Sequence, residues 1–291
     1  MSDHLTDLRS RIGDRLLEIA EAATMPAPLR EPVRAAFRSP GKRVRGILVV
    51  AAGESCGCRP DALLDAAAAF EMIHTSSLIF DDLPSMDDAL LRRGEPTLHR
   101  RFGEDLAILA AVALLNHAYA LLGRNHRALS PRRWPLSELL DRTVAAVGWD
   151  GSVGGQAVDL HSAGAALDFA TLEYIHSRKT GALFVAAGAA GAMLANAPPP
   201  RVHAIEAYAK NLGLAFQIAD DVLDATSTVE ALGKDVGKDE ERLTFVKLAG
   251  LDGARRLAGE LLDTSLAAIE TLGRAAEPLR ALALSLRDRA R

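Results

Sequence analysis

The sequence predicts an all-α fold: one domain spanning 1–291, built as a bundle of long helices. Three observations carry this. Aromatic residues make up only 4% of the chain while alanine and leucine are abundant, a composition that favours helix over sheet. Apolar residues recur at helical spacing over long stretches, separated by short Gly/Pro punctuation. The apolar–polar alternation of a half-buried strand is not evident.

In chain order, the periodicity predicts helices at 6–23, 31–37, 42–54 and 59–80. The third opens just after Pro40, and the fourth is a long apolar run that ends at an acidic cluster. Further helices are expected at 106–122, 135–159, 168–176 and 180–195; the alanine- and glycine-rich stretch 187–197 reads as a tightly packed core helix. Pro198-Pro199-Pro200 is the strongest breaker, but the pattern is alike on both sides, so it reads as a turn within one bundle. The last helices fall at 200–223, 254–271 and 277–289. Short connections imply mostly antiparallel neighbours.

A chain of 291 residues with 49% apolar content has ample material for a buried core. Its formal charge of −4 speaks against a general nucleic-acid binder, which is usually basic. Any bound anion must be held by local cations. The two cysteines, Cys56 and Cys58, cannot complete a closed zinc site, and a bridge across one residue would be strained. They read as thiols in a helix–helix turn, in a reducing compartment. The first residues carry acids and no apolar core, so no signal peptide is expected. No run approaches the ~18 uninterrupted apolar residues of a membrane span. The expectation is a soluble, cytoplasmic protein.

Two acidic clusters each end a long apolar helix. In Asp220-Asp221-Val222-Leu223-Asp224, Asp220 and Asp224 fall one turn apart on one face, as do Gln217 and Asp221. Like charges at that spacing repel, so the pattern calls for a cation, and arrayed carboxylate oxygens suit a hard ion such as Mg²⁺. The apolar flanks argue against a merely solvated helix end. In the other cluster, 80–88, the third acid lies six residues after Asp81, on another face of a straight helix. Pro84 is expected to bend the chain and return Asp87 to Asp81 and Asp82. Upstream, Phe70, His74, Ser77 and Asp81 stack on one face, which puts His74 beside the acids.

Cations accompany the acids. Lys42 and Arg45 lie at i, i+3 where a helix opens and can clamp one anion. Arg92-Arg93-Gly94 follows the first cluster, and guanidinium forks match phosphate oxygens. Lys179-Thr180 sits at a helix junction; Lys234 and Lys238 follow the second cluster. Singly, each reads as a solvated surface group. Together they suffice for a metal-bound anion and for a second anion bound without metal.

From about residue 37 to 250 the chain resembles the trans-prenyl diphosphate synthases, the farnesyl and geranylgeranyl diphosphate synthase family. Asp81-Asp82-Leu83-Pro84-Ser85-Met86-Asp87 is similar to the family's first aspartate-rich motif in its form with two inserted residues. Gly41-Lys42-Arg43-Val44-Arg45, Arg92-Arg93-Gly94, Gly154-Gly155-Gln156 with Asp159, Lys179-Thr180, and Phe216-Gln217 through Asp224 stand where the family has them. The resemblance implies an isoprenoid-synthase-type bundle around a central cavity, and a homodimer, for which the apolar helix 106–122 offers an interface. It implies that Asp81, Asp82, Asp87, Asp220, Asp221 and Asp224 hold three Mg²⁺ ions around an allylic diphosphate. Arg92, Lys179 and Lys234 would complete that pocket, with Gln217 lining it. Lys42, Arg45, His74 and Arg93 would bind isopentenyl diphosphate, and Thr180 would position the reacting ends. The chain departs from the family at Pro40, Gly46, 110–112 (which lacks an aspartate) and Arg242; none of these removes an expected metal ligand.

The chemistry so implied is ionisation of the allylic C–O bond, attack by the isopentenyl double bond, and loss of a proton. Closure of the loop 233–239 is expected to exclude water. Product length should depend on what blocks the tail. Ser76 and Ser77 are small where fifteen-carbon family members tend to carry an aromatic, so a twenty-carbon product is expected, with Phe80 able to stop the chain earlier. The rival readings are a terpene cyclase, which normally lacks a second aspartate cluster, and a non-catalytic regulatory subunit, which typically loses one.

Overall fold

Apolar side chains at helical spacing fold α1 (Asp3–Ala22) along one stripe of Leu5, Leu8, Ile12 and Leu16, all fully buried. The structure, a computed structural model, describes residues 3–38, 41–162, 169–226 and 244–290, with side chains to 287. Helix α2 (Ala27–Arg38) follows, then α3 (Val44–Glu54), which is buried along nearly its whole length. Pro60 opens a 3₁₀ turn (Pro60–Leu63) that feeds α4 (Leu64–Asp81). After a two-residue hairpin come α5 (Leu98–Phe102) and α6 (Glu104–Leu129). Next are α7 (Leu136–Val147), α8 (Ser152–His161), α9 (Phe169–His176) and α10 (Ala182–Leu194). The chain then forms α11 (Pro199–Thr226), α12 (Phe245–Ala268) and α13 (Glu277–Ala290).

The main core runs through the middle of the bundle, where α3 and α10 cross and Leu48, Phe70, Phe184 and Tyr208 are all inaccessible. The small residues of α10 make that crossing possible, as the alanine- and glycine-rich sequence implied. A smaller cluster of Leu172, Ile218, Val222 and Phe245 ties α9, α11 and α12 together beneath the second acidic motif. Each acidic cluster thus stands at the end of a helix anchored in packed apolar residues.

The structure departs from the sequence reading in several places; α5 was not expected, and α6 runs on to Leu129, past the expected end at 122. The helix expected at 135–159 is two helices, because Gly148 and Gly151 adopt non-helical backbone and turn the chain between them. The short antiparallel strands Leu91–Arg92 and Glu95–Pro96 went unforeseen, since two residues are too few to show alternation. The helix expected at 254–271 starts at Phe245, bends at Gly250, and gives way to a 3₁₀ turn after Ala268. Lys234, Lys238, the loop 233–239, Pro40 and Arg242 lie outside the described residues.

Two stretches, Pro60–Asp81 and Glu104–Leu129, are long and apolar enough to cross a membrane by composition. The first devotes its apolar side chains to the core through Phe70, Met72 and Ile73. The second, α6, buries Ala107, Ala110, Leu114 and Leu121 on one face and presents Ile108, Leu109 and Val112 on the other.

Candidate active site

The first acidic cluster begins as α4 ends. Asp82 caps the helix, its N–H donating to Leu78, and Pro84 stops the winding. The chain then folds back: the Asp87 N–H donates to the Asp81 carbonyl at 2.9 Å, and the Ala89 N–H to the Asp82 carbonyl at 3.2 Å. The bend expected at Pro84 therefore brings Asp87 to Asp81. Burial pushes the Asp81 carboxyl up to about 6; Lys179 opposes this and Asp87 adds to it. Asp82 is nearly inaccessible and accepts from both Nε and Nη2 of Arg92.

Arg92 and Arg93 owe their placement to the hairpin turn. Arg93 and Gly94 both have positive φ, at 56° and 82°, the twist a two-residue hairpin loop requires and glycine readily supplies. One arginine is thereby sent to Asp82, while the other lies against Gly41.

The second cluster ends α11. Lys42 Nζ lies 2.8 Å from Asp220 Oδ1. Asp221 is buried and has both oxygens engaged: Gln217 Nε2 donates to Oδ1 and the Phe245 N–H, at the start of α12, donates to Oδ2, each at 3.1 Å. Burial still raises its carboxyl to about 6, with Gln217 and the Phe245 amide opposing. Asp224 follows one turn beyond Asp220, and its charge bears on Asp221.

One turn of backbone ties the two clusters together. Residues Ser177–Gly181 are wound as a π-helix, a geometry frequent at functional sites. Lys179 donates to Asp159 at 2.7 Å and is close enough to act on Asp81, while the Thr180 hydroxyl donates to Gln217 at 3.1 Å and so reaches Asp221. The turn packs against α8 at Gly155, where a Cβ would lie 2.4 Å from the Lys179 nitrogen, so only glycine fits.

Beside the acids is a nest of cations. Arg45 is buried, its Nε has no hydrogen-bond partner, it stands in no ion pair among the described residues, and its guanidinium lies 4.8 Å over the Phe184 ring. Burial pushes it down to about 10, with Glu71 and Asp220 opposing. His74 is driven well below the ordinary histidine range by burial and then by Arg45, Arg93, Arg92 and Arg43, so it is neutral at pH 7. Glu71, only 2% exposed, steadies the nest: it accepts from the Gly46 N–H at 2.9 Å and faces Arg43 at 3.8 Å. Sequence reasoning missed Glu71, although a lone acid within 66–73 was a signal. It also missed Arg9, whose Nε holds the Gly41 carbonyl at 2.9 Å.

Of the expected chain-length residues, Ser76 is buried against α6, its hydroxyl donating to the Ala111 carbonyl at 2.9 Å. Ser77 stays half-buried on the His74 and Asp81 side, and Phe80 packs partly on the core. Among the described residues no three His, Cys, Asp or Glu side chains converge closely enough to cage an ion unaided. That donor set suits a hard cation completing its shell with water and ligand phosphate oxygens.

Oxygen-rich clusters facing a cation nest on an all-α scaffold define a prenyltransferase-type enzyme that handles diphosphates. The polyprenyl synthetase family model matches residues 26–271, and the chain belongs to that family, the trans-prenyl diphosphate synthases. It is 41% identical over 252 residues to geranylgeranyl pyrophosphate synthase 7, chloroplastic, of Arabidopsis thaliana, covering 85% of this chain and 72% of that one. An FPP/GFPP synthase of Zymomonas mobilis, solved in apo form, superposes with a TM-score of 0.85 at 34% identity, over 98% and 100% of the two chains. A geranyltransferase of Helicobacter pylori, complexed with magnesium and isoprenyl diphosphate, gives 0.83 at 27% identity over 99% of each.

Proposed function

We propose that this enzyme joins isopentenyl diphosphate to an allylic diphosphate (dimethylallyl, geranyl or farnesyl) and makes geranylgeranyl diphosphate. The observation that carries the reading is the buried Arg45, in no ion pair among the described residues and with its Nε unbonded, beside two carboxylate clusters. A desolvated guanidinium so placed favours an anion bound without metal, next to one bound through metal. Asp81, Asp87, Asp220 and Asp224 are the ligands we assign to Mg²⁺, three ions per site; Asp82, held at one oxygen by Arg92, and Asp221, held at both oxygens, support them from behind. Mg²⁺ supplies the positive charge that stabilises departing pyrophosphate.

The chain's own residues do the rest. Lys42, Arg45 and Arg93 hold the isopentenyl diphosphate, with neutral His74 as a hydrogen-bond partner. Arg92 and Lys179 reach the allylic diphosphate, and Thr180 with Gln217 lines the place where the allylic cation forms. The enzyme abstracts no proton with a side chain of its own; pyrophosphate takes it.

The small side chain at Ser77 and the Arabidopsis relative's name support a twenty-carbon product; a farnesyl product is the alternative, in keeping with the Zymomonas neighbour. The exposed Ile108, Leu109 and Val112 of α6 suit a second copy of this chain, and the free Cys56 and Cys58 fit the cytoplasm. Incubating the protein with isopentenyl diphosphate, each primer and Mg²⁺ tests the reading. Elongation to twenty carbons supports it; cyclised product without elongation, or none, refutes it.

A further inference from the structure

The segment joining the first acidic cluster to the hairpin is held by a side chain the reaction as described does not use. His99, on α5, is 7% exposed, and its Nε2 is buried with no hydrogen-bond partner among the described residues. Its Nδ1 lies 3.1 Å from the Thr97 hydroxyl, and that hydroxyl lies 2.9 Å from the Ala89 carbonyl. A carbonyl can only accept, so the Thr97 proton points to Ala89 and the Thr97 oxygen must receive its bond from His99 Nδ1–H. The tautomer is fixed by this chain of donors.

Ala89 closes the loop. Its own N–H donates to the Asp82 carbonyl, the Asp87 N–H donates to Asp81, and between them Asp88 sits at φ 43°, a left-handed conformation unusual for a residue with a side chain. A turn strained in this way persists only when its neighbours over-determine it. For stability alone the arrangement is poor, because a buried nitrogen lone pair without a donor costs free energy.

We propose that His99 is a positioning residue for the first carboxylate cluster, acting through Thr97 and Ala89 to hold Asp87 beside Asp81 for metal. The inference rests on the assignment of those acids to Mg²⁺. Residues that orient metal ligands from behind change metal affinity by about 10–100-fold when removed.

The test uses the full chain and a probe, Mg²⁺ with inorganic pyrophosphate, read by calorimetry. Amide hydrogen exchange over 82–90 in metal-free buffer is read alongside. His99→Leu and Thr97→Val should each weaken binding by about tenfold and speed exchange at Asp87 and Ala89, with unfolding temperature monitored. His99→Asn, which offers a donor near the Nδ1 position, should rescue both readouts; His99→Gln, which offers one near Nε2, should not. The double variant should lose no more than either single one. Unchanged exchange and binding in His99→Leu would overturn the proposal, as would an Asn variant no better than Leu. If the parent protein fails to bind the probe, the metal assignment itself is wrong, and the exchange data alone then decide whether His99 braces the turn.

Discussion

Lys42 and Asp220 are joined by an ion pair of 2.8 Å, although the lysine was expected at one diphosphate and the aspartate at the other. Arg92 holds Asp82 and Lys179 holds Asp159 in the same manner. Cations and acids thus neutralise each other across the site, and a diphosphate bound as proposed would compete for these partners. Replacing Lys42 with methionine should raise KM for isopentenyl diphosphate roughly tenfold, equivalent to about 1.4 kcal/mol. Unfolding stability should change by less than about 1 kcal/mol, since the pair is partly exposed. Steady-state kinetics and urea unfolding check both.

The two neighbouring acids of the second cluster should separate cleanly. Asp220→Asn removes an assigned metal ligand and should lower kcat/KM by roughly a thousandfold, about 4 kcal/mol, with little loss of stability. Asp221→Asn turns a donor toward Gln217 or toward the Phe245 N–H, and should cost about 1–3 kcal/mol in stability with a smaller loss of activity. Equal effects on both readouts would contradict the division of roles.

Asp81 has a pH signature. Burial lifts its carboxyl from 3.8 to about 6, so between those values the folded chain binds more protons than the unfolded one. Its contribution to stability therefore falls as pH rises through that window. Asparagine has no such titration. In metal-free buffer Asp81→Asn should melt above the parent at pH 7.5, with the gap closing near pH 4.5. A gap of the same size at both pH values would remove the burial argument.

Bulk at Ser77 and at Ser76 should act differently. Ser77→Phe should shorten the product by filling the Asp81 face of α4. Ser76→Tyr is forced between α4 and α6, where the hydroxyl now meets Ala111, and should destabilise the fold by about 1–3 kcal/mol. Product analysis by chromatography and thermal unfolding distinguish the two.

Helix existence and both acid clusters were legible because periodicity and like-charge spacing are local. The bend at Pro84 was legible for the same reason: a proline directly between the Asp81-Asp82 pair and the third acid, Asp87, has few outcomes. The protein donors that engage Asp82 and Asp221 were not, because they are brought in by tertiary folding, Arg92 from a hairpin and Phe245 from a helix 24 residues on. The hairpin itself escaped notice, although Arg93-Gly94 was recognised for its charge. Phase also hid the π-turn, since nothing in 177–181 distinguishes a wide turn from an ordinary one.

That wide turn carries an evolutionary constraint. By accommodating one surplus residue per turn, it sets α9 and α10 out of phase by about 100°. Losing a single codon there would let the two helices fuse into one smooth rod and swing the Lys179 ammonium away from its carboxylates, so this stretch should resist length variation even where its lettering drifts.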